Sequence, residues 1–161
     1  MSKLSIFSVV VTVIAGMSAC SPAGQDEQKN IDLPVASQDF EATVDGQPVK
    51  LYTLKNGEIQ VTITNYGGRV VSIQTPDRDG NFVDVVVGYK DLAGFQQAGD
   101  GFYGALIGRY GNRIGKGQFE LDGLVYQVDR NDGENSLHGG TAGFHARVWS
   151  VQSVTDTSLV L

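Results

Sequence analysis

Ile59-Gln60-Val61-Thr62-Ile63-Thr64-Asn65-Tyr66-Gly67-Gly68-Arg69-Val70-Val71-Ser72-Ile73-Gln74 is the stretch that decides the fold. Ile59, Val61 and Ile63 alternate with Gln60, Thr62 and Thr64. Successive side chains of an extended chain point to opposite faces, so this period of two predicts a half-buried strand. Gly67-Gly68 breaks it, and Val70 to Gln74 resumes it. Downstream, Pro76-Asp77-Arg78-Asp79-Gly80-Asn81 predicts a strong turn. Phe82 to Val87 then reads as a strand, continuously apolar enough to be buried on both faces. Upstream, Phe40 to Val44 is a short alternating piece closed by Asp45-Gly46, and Val49 to Leu54 runs into Asn56-Gly57, a hairpin-type turn. Further on, Phe119–Leu121 and Leu124–Val128 flank Asp122-Gly123 as a second hairpin, and Ser158 to Leu161 is strand-like. Residues 88–117 and Asn131 to Phe144 are irregular, and no window sustains a helical period. Short strands separated by turn signals predict an all-β chain, an antiparallel sandwich or barrel.

Composition narrows the chemistry. Among 161 residues, 41% hydrophobic and 19% charged exclude a disordered chain and one that is membrane-spanning throughout. The 21 glycines against 4 prolines fit many tight turns between short strands. A net charge of −6 argues against wrapping nucleic acid, whose phosphates need clustered Lys or Arg. One cysteine excludes an internal disulfide framework and a cysteine-based zinc site, and two histidines leave little for a multi-histidine metal centre. No metal is assigned.

The first residues read as an address. Lys3, an apolar run from Leu4 to Ala15, and Gly16-Met17-Ser18-Ala19-Cys20 follow the order of a secretory signal. The run is shorter than the about 20 apolar residues a spanning helix needs. The small residues before Cys20 resemble the lipobox of bacterial lipoproteins, whose cysteine is lipidated and becomes the new N-terminus, although that box prefers Leu where Met17 stands. Ordinary cleavage is the alternative, for which Ser21-Pro22-Ala23 offers small residues. The expectation is a lipoprotein-type signal over 1–19 with lipidation at Cys20, a flexible polar tether over 20–38, and a folded region over 39–161. The protein is then exported to the bacterial cell envelope, lipid-anchored or periplasmic, with its lipid anchor in the membrane if lipidated. No protein partner is predicted.

Two irregular segments collect the informative polar residues. Gly108-Arg109-Tyr110-Gly111-Asn112-Arg113-Ile114-Gly115-Lys116-Gly117 sets three cations and an amide among glycines, which permit close approach of a ligand. Arg and Asn supply several fixed donors for hydroxyls or a ring oxygen. A phosphate loop is the rival reading, but Gly115-Lys116-Gly117 lacks the hydroxyl that binds Mg²⁺. A cationic turn that satisfies nearby acids is the plain alternative. The second segment is Asn131-Asp132-Gly133-Glu134-Asn135-Ser136-Leu137-His138-Gly139-Gly140. Its histidine can move protons near neutral pH, while a hydrogen bond to backbone is the commoner role. Ser136, His138 and Asp132 are too crowded for a nucleophilic triad, whose members converge from distant segments. Asp77 to Asn81 superficially resembles a calcium loop, but Gly88 stands where the terminal Glu belongs, so it reads as a turn. Trp149 reads as core rather than a sugar platform, and His145 as structural or solvent-facing.

Taken in order, Asn65-Tyr66-Gly67-Gly68, Pro76-Asp77-Arg78-Asp79-Gly80, Asp84-Val85-Val86-Val87-Gly88-Tyr89, Gly104 to Ile114, Asn135-Ser136-Leu137-His138-Gly139-Gly140, Gly143-Phe144 and Val148-Trp149 resemble the N-terminal part of the aldose 1-epimerase (galactose mutarotase) family. The resemblance runs from about residue 40 to the end. It implies a large antiparallel β-sandwich of the galactose mutarotase type, incomplete in this chain, and a cofactor-free reaction on free hexoses, glucose or galactose. In the family a carboxylate takes the proton from the anomeric hydroxyl, an acid protonates the ring oxygen, the ring opens, and reclosure gives the other anomer. Carried over by motif, Asn112 and Arg113 match the Asn-Arg pair that grips the sugar, and His138 matches the histidine of the Leu-His-Gly-Gly motif. The family's proton-donating histidine and glutamate base fall beyond residue 161, so the chain is expected to be an N-terminal fragment without catalytic residues of its own and inactive alone. Where the family usually has an acid after Gly-Phe, this chain has His145. The alternative from another class is a non-catalytic carbohydrate-binding module tethered to the envelope.

Overall fold

The computed structural model describes residues 35–97 and 101–161, and Val10–Thr12 by their backbone alone. The expected signal over 1–19 apart from Val10–Thr12, Cys20, and the tether up to residue 34 lie outside the described residues. Val10–Thr12 forms β1, paired antiparallel with Ser158–Val160.

Asp45 and Gly46, with φ of 50° and 74°, make the two-residue turn of a hairpin between β2 (Ala42–Val44) and β3 (Gln47–Val49). A meander of four antiparallel strands follows: β4 (Leu51–Asn56), β5 (Ile59–Thr64), β6 (Arg69–Pro76) and β7 (Phe82–Asp84). The register of β5 on β6 shifts between Thr62 and Ile63, whose partners are Ser72 and Val70, leaving Val71 as the extra residue of a bulge. The shift has a packing consequence. Val70 and Ile73 are an odd number of residues apart, and the bulge lets both join one core, with Leu54, Val61, Ile63, Leu159 and Leu161. Val71 joins the other core, with Phe40, Val49, Tyr66, Leu92 and Phe95.

The remaining elements are short. They are α1 (Leu92–Gln97), β8 (Arg113–Ile114), the hairpin of β9 (Gln118–Leu121) and β10 (Leu124–Gln127), β11 (Ser136–Leu137), and the pair β12 (Ser153–Val154) and β13 (Ser158–Val160). The described chain is thus mostly antiparallel strand with one small helix, the fold class expected.

Four local expectations change. The β5 strand is covered on both faces, since Gln60, Thr62 and Thr64 are as buried as Val61 and Ile63. Its polar alternation reflects cross-strand neighbours, Gln60 opposite Gln74 and Thr62 opposite Ser72, and not a solvated side. The Phe82–Val87 run is the reverse case, for Val83, Val85 and Val87 are 39%, 59% and 74% exposed. Asp84 ends that strand because its Oδ1 accepts the N–H of both Ile73 and Val86. Phe40 closes a 3-10 turn over Ser37–Phe40, and the expected Val49–Leu54 strand is split at Lys50, whose N–H donates to Asn65 Oδ1. In α1 only Leu92 and Phe95 are buried, one turn apart, and Asp91 Oδ1 accepts from Gly94 N–H; a helix of six residues carries no sustained period.

The Asn65-Tyr66-Gly67-Gly68-Arg69 segment ties this sheet to the loops beyond it. Asn65 Nδ2 donates to the carbonyls of Pro48 and Trp149, and Trp149 N–H donates back to the Asn65 carbonyl. Gly67 N–H donates to Arg147, Leu106 N–H to Gly67, and Val70 N–H to Gly104. A Cβ on Gly67, which has a φ of 71°, would collide with the His145 carbonyl, so glycine permits this approach. Arg69 is 1% exposed and donates through Nη1 to the Tyr103 carbonyl at 3.1 Å and through Nη2 to the His145 carbonyl at 3.0 Å. Its guanidinium lies 5.0 Å over the Phe95 ring and 5.6 Å over Tyr66, a setting that keeps a buried cation attractive without a carboxylate. Desolvation still lowers its pKa.

Candidate functional site

The two irregular segments meet. β8 and β11 pair antiparallel, Arg113 opposite Leu137 and Ile114 opposite Ser136, across more than twenty residues of sequence. Next to that pair, His138 N–H donates to the Asn112 carbonyl at 2.9 Å and Asn112 N–H donates to His138 Nδ1 at 3.0 Å. Both residues have positive φ, 62° for Asn112 and 52° for His138, so their backbones turn sharply where they meet. The reciprocal pair fixes the tautomer: with Nδ1 accepting, the neutral ring carries its proton on Nε2 and presents it as a donor.

Arg113 is held on its inner edge. Its Nε donates to Asp132 Oδ2 at 2.6 Å and its Nη1 to Asn112 Oδ1 at 3.2 Å. With Asn112 Oδ1 so engaged, the Nδ2 hydrogens are the side chain's donors. Asp132 satisfies one edge of the guanidinium, as the cationic-turn reading expects, and the rest of the planar fork is exposed.

A cleft of about 1240 Å³ opens beside this cluster. Asn112 and Arg113 line it, together with Arg109, Arg147, Phe144 and Trp149, and no Asp or Glu is among the described residues that line it. Arg109 stacks over Phe144 at 5.9 Å, and Arg147 Nε donates to the Ala142 carbonyl at 3.1 Å. Trp149 has two roles: it packs against the Leu54–Ile63 core and also walls the cleft. Its Nε1 donates to the Phe144 carbonyl and its ring stands edge-on to Phe144 at 5.0 Å.

His145 is half-buried, and its backbone carbonyl accepts from Arg69. Phe102 lies between the two histidines, 4.8 Å from the His138 ring and 4.7 Å from His145. Burial first, then the charges of Arg69 and His138, lower the His145 pKa, and its buried Nδ1 has no partner. Ser136 is buried, and Asp132 faces Arg113, so the crowded Ser136, His138 and Asp132 are not arranged as a triad. Asp77 Oδ1 accepts from Asp79 and Asn81 N–H, a self-closed turn as expected, and the Asn81 backbone bond leads the causes that lower its carboxyl pKa. Among the described residues no three His, Cys, Asp or Glu converge as a metal-ion cluster.

Sequence reasoning singled out Asn112, Arg113 and His138, and the structure joins all three. It missed Phe102, which no local pattern marks, and Asp129, whose carboxylate accepts from Thr141 N–H. It also gave no role to Arg147, one residue before the quoted Val148-Trp149.

A sequence model of the family described as Aldose 1-epimerase matches residues 50–161. The chain is 39% identical over 108 residues to a galactose mutarotase of Bos taurus, covering 67% of this chain and 31% of the relative. It is 34% identical over 117 residues to an aldose 1-epimerase of Escherichia coli, covering 72% of this chain and 34% of that protein. Among solved structures, a GalM/aldose epimerase homologue from C. elegans superposes with a TM-score of 0.64 at 27% identity, over 69% of this chain and 34% of the other. The galactose 1-epimerase of Lactobacillus acidophilus superposes with a TM-score of 0.58 at 25% identity, over 71% and 33%. The chain spans about a third of the length of these relatives.

Proposed function

As the chain belongs to the aldose 1-epimerase family, we propose that it contributes the sugar-gripping wall of an enzyme that interconverts the α and β anomers of free hexoses such as glucose and galactose. The observation that carries this reading is the union of Asn112, Arg113 and His138 by β8–β11 pairing and the reciprocal Asn112–His138 bonds, with Asn112 and Arg113 lining a cleft in which no Asp or Glu is among the described lining residues. A hexose presents hydroxyls and a ring oxygen, and a rigid set of N–H donors matches them. The cationic fork of Arg113 gives charge-assisted hydrogen bonds, and the Nε2 proton of His138 is held by a backbone lock.

Anomer exchange needs a base for the anomeric hydroxyl and an acid for the ring oxygen. Among the described residues no Asp or Glu lines the cleft, and His138 Nδ1 is occupied by Asn112 N–H, so this chain supplies grip and orientation rather than proton transfer. The acid–base pair belongs to the part of the family fold that this third does not include. We further propose export to the bacterial envelope, through Lys3 to Ala19 and lipidation at Cys20.

Polarimetry of freshly dissolved α-galactose tests the reading. The 161-residue chain is expected to leave the decay at the buffer rate while binding galactose in a titration followed by NMR. Arg113→Ala and His138→Ala are each expected to abolish that binding. Decay well above buffer would refute the missing acid–base pair, and wild-type affinity in both variants would refute the site.

A further inference from the structure

The loop that carries His138 is a hairpin whose rungs are made largely by side chains. Nearest its tip, Asp132 N–H donates to the Asn135 carbonyl at 3.1 Å and Asn135 N–H to the Asp132 carbonyl at 2.9 Å. The next rung is Asn131, which imitates a backbone amide: its Oδ1 accepts Leu137 N–H at 2.7 Å and its Nδ2 donates to the Leu137 carbonyl at 3.0 Å. The last rung is Asp129, whose Oδ2 accepts Thr141 N–H at 2.8 Å and also the Thr141 hydroxyl. His138 sits between the last two rungs. Gly140, also between them, has a φ of 80°, and a Cβ there would lie 3.0 Å from Asp129 Cβ, so the rung closes only over glycine.

On the far side of His138, Gly140 N–H donates to Leu137 and Gly143 N–H to Gly140, local turns that move with the segment that contains them, and apart from Thr141 the next long-range bond is that of Phe144 N–H to the Gly108 carbonyl, six residues on. The Asp129 carboxylate instead anchors Thr141 to the chain just beyond β10 (Leu124–Gln127). Two donors converging on one oxygen suit an ionised acceptor. The geometry points to Asp129 as a positioning residue for the site: it closes the hairpin behind His138 and so keeps the imidazole where its Nδ1 accepts from Asn112. The sugar-binding reading above enters only through the affinity arm of the test.

The test uses the full chain labelled with ¹⁵N, and long-range ¹H–¹⁵N correlations of the His138 ring at about pH 8, where imidazoles are neutral. Wild type is expected to show one tautomer, with Nε2 protonated. Asp129→Ala is expected to show mixed tautomers and about tenfold weaker galactose binding, as the loss of a charge-assisted hydrogen bond implies. Asp129→Asn keeps an oxygen acceptor for both Thr141 donors and is expected to restore the single tautomer. Thr141→Val removes one donor and keeps the other, and is expected to fall between; it decides the matter if Asp129→Ala does not fold. A single wild-type tautomer in both Asp129→Ala and Thr141→Val would overturn the assignment. If the tautomer responds while wild type binds no galactose, the sugar reading fails and the positioning role stands.

Discussion

Alanine at Gly139 tests how tightly the two loops are locked. Gly139 has a φ of 92°, and a Cβ there lands on the Gly108 carbonyl, 2.6 Å from its carbon and 3.2 Å from Arg109 N. Ordinary contact begins at 3.4 Å, and the carbonyl oxygen lies nearer still than its carbon, so the two backbones must part by more than about 0.8 Å. Neither side is a flexible side-chain end that swings away. The Gly108 carbonyl also accepts Phe144 N–H at 3.2 Å, so the displacement reaches the cleft wall as well as His138. Left-handed strain in a non-glycine residue costs about 1–3 kcal/mol, and overpacking a further 1–3 kcal/mol, giving about 2–6 kcal/mol in all. A shift near 1 Å at a positioned group weakens its action by up to about a hundredfold, so galactose affinity is expected to fall at least tenfold. Gly133→Ala is the matched control, with a φ of 58° and nothing within 4 Å of its Cβ; it bears the strain alone, about 1–2 kcal/mol. Urea denaturation gives the stabilities and galactose titration the affinities. Equal losses of stability in the two variants, with wild-type affinity in both, would refute the locked-loop argument.

Asp132→Ala is expected to cost less than 1 kcal/mol, roughly, in a urea melt, because Arg113 and Asp132 are 53% and 34% exposed, yet to weaken galactose binding by freeing the guanidinium. Asn65→Ala removes three hydrogen bonds, at 2.9, 3.0 and 3.2 Å, from a buried side chain; at about 1 kcal/mol each, roughly 3 kcal/mol is expected in the same assay. Leu54→Ala, in the core of the meander, is expected to cost about 2–5 kcal/mol, and a loss under about 1 kcal/mol would contradict the packing described. His145 gives a pH signature. Its folded pKa lies below 6.5, so the unfolded chain binds its proton more readily. That contribution is intact above 6.5 and is lost as pH falls below it, towards the folded value. Melting temperatures across this range should show the decline, and His145→Gln should flatten it.

Much of the sheet was legible because its signals are local. Gly57 at the first loop position of the β4–β5 hairpin has a φ of 60°, and Asp122-Gly123 turns β9 into β10, as turn chemistry demands. Burial was less legible. Gln60 and Thr62 look solvent-facing in a period-two pattern, and Val85 and Val87 look buried in an apolar run, yet both readings reverse. Which face is covered depends on what packs there, and a strand's own sequence does not contain that.

The site divides in the same way. Residue types brought the two loops into view but left a cationic turn and a backbone-bonded histidine as open readings; the resemblance to the family singled out Asn112, Arg113 and His138. Their roles came from contacts across the fold. Asn112 N–H settles which imidazole nitrogen carries the proton, Asp132 takes one edge of Arg113, and Asp129 closes the loop behind His138. Phe102 lies more than thirty residues from each histidine it touches. The sequence by itself determined the strands, the turns and the donor chemistry, because these rest on backbone preference and functional groups. Only the tertiary structure decided burial, tautomer and orientation, because each is fixed by a hydrogen bond or a packed surface from a distant part of the chain.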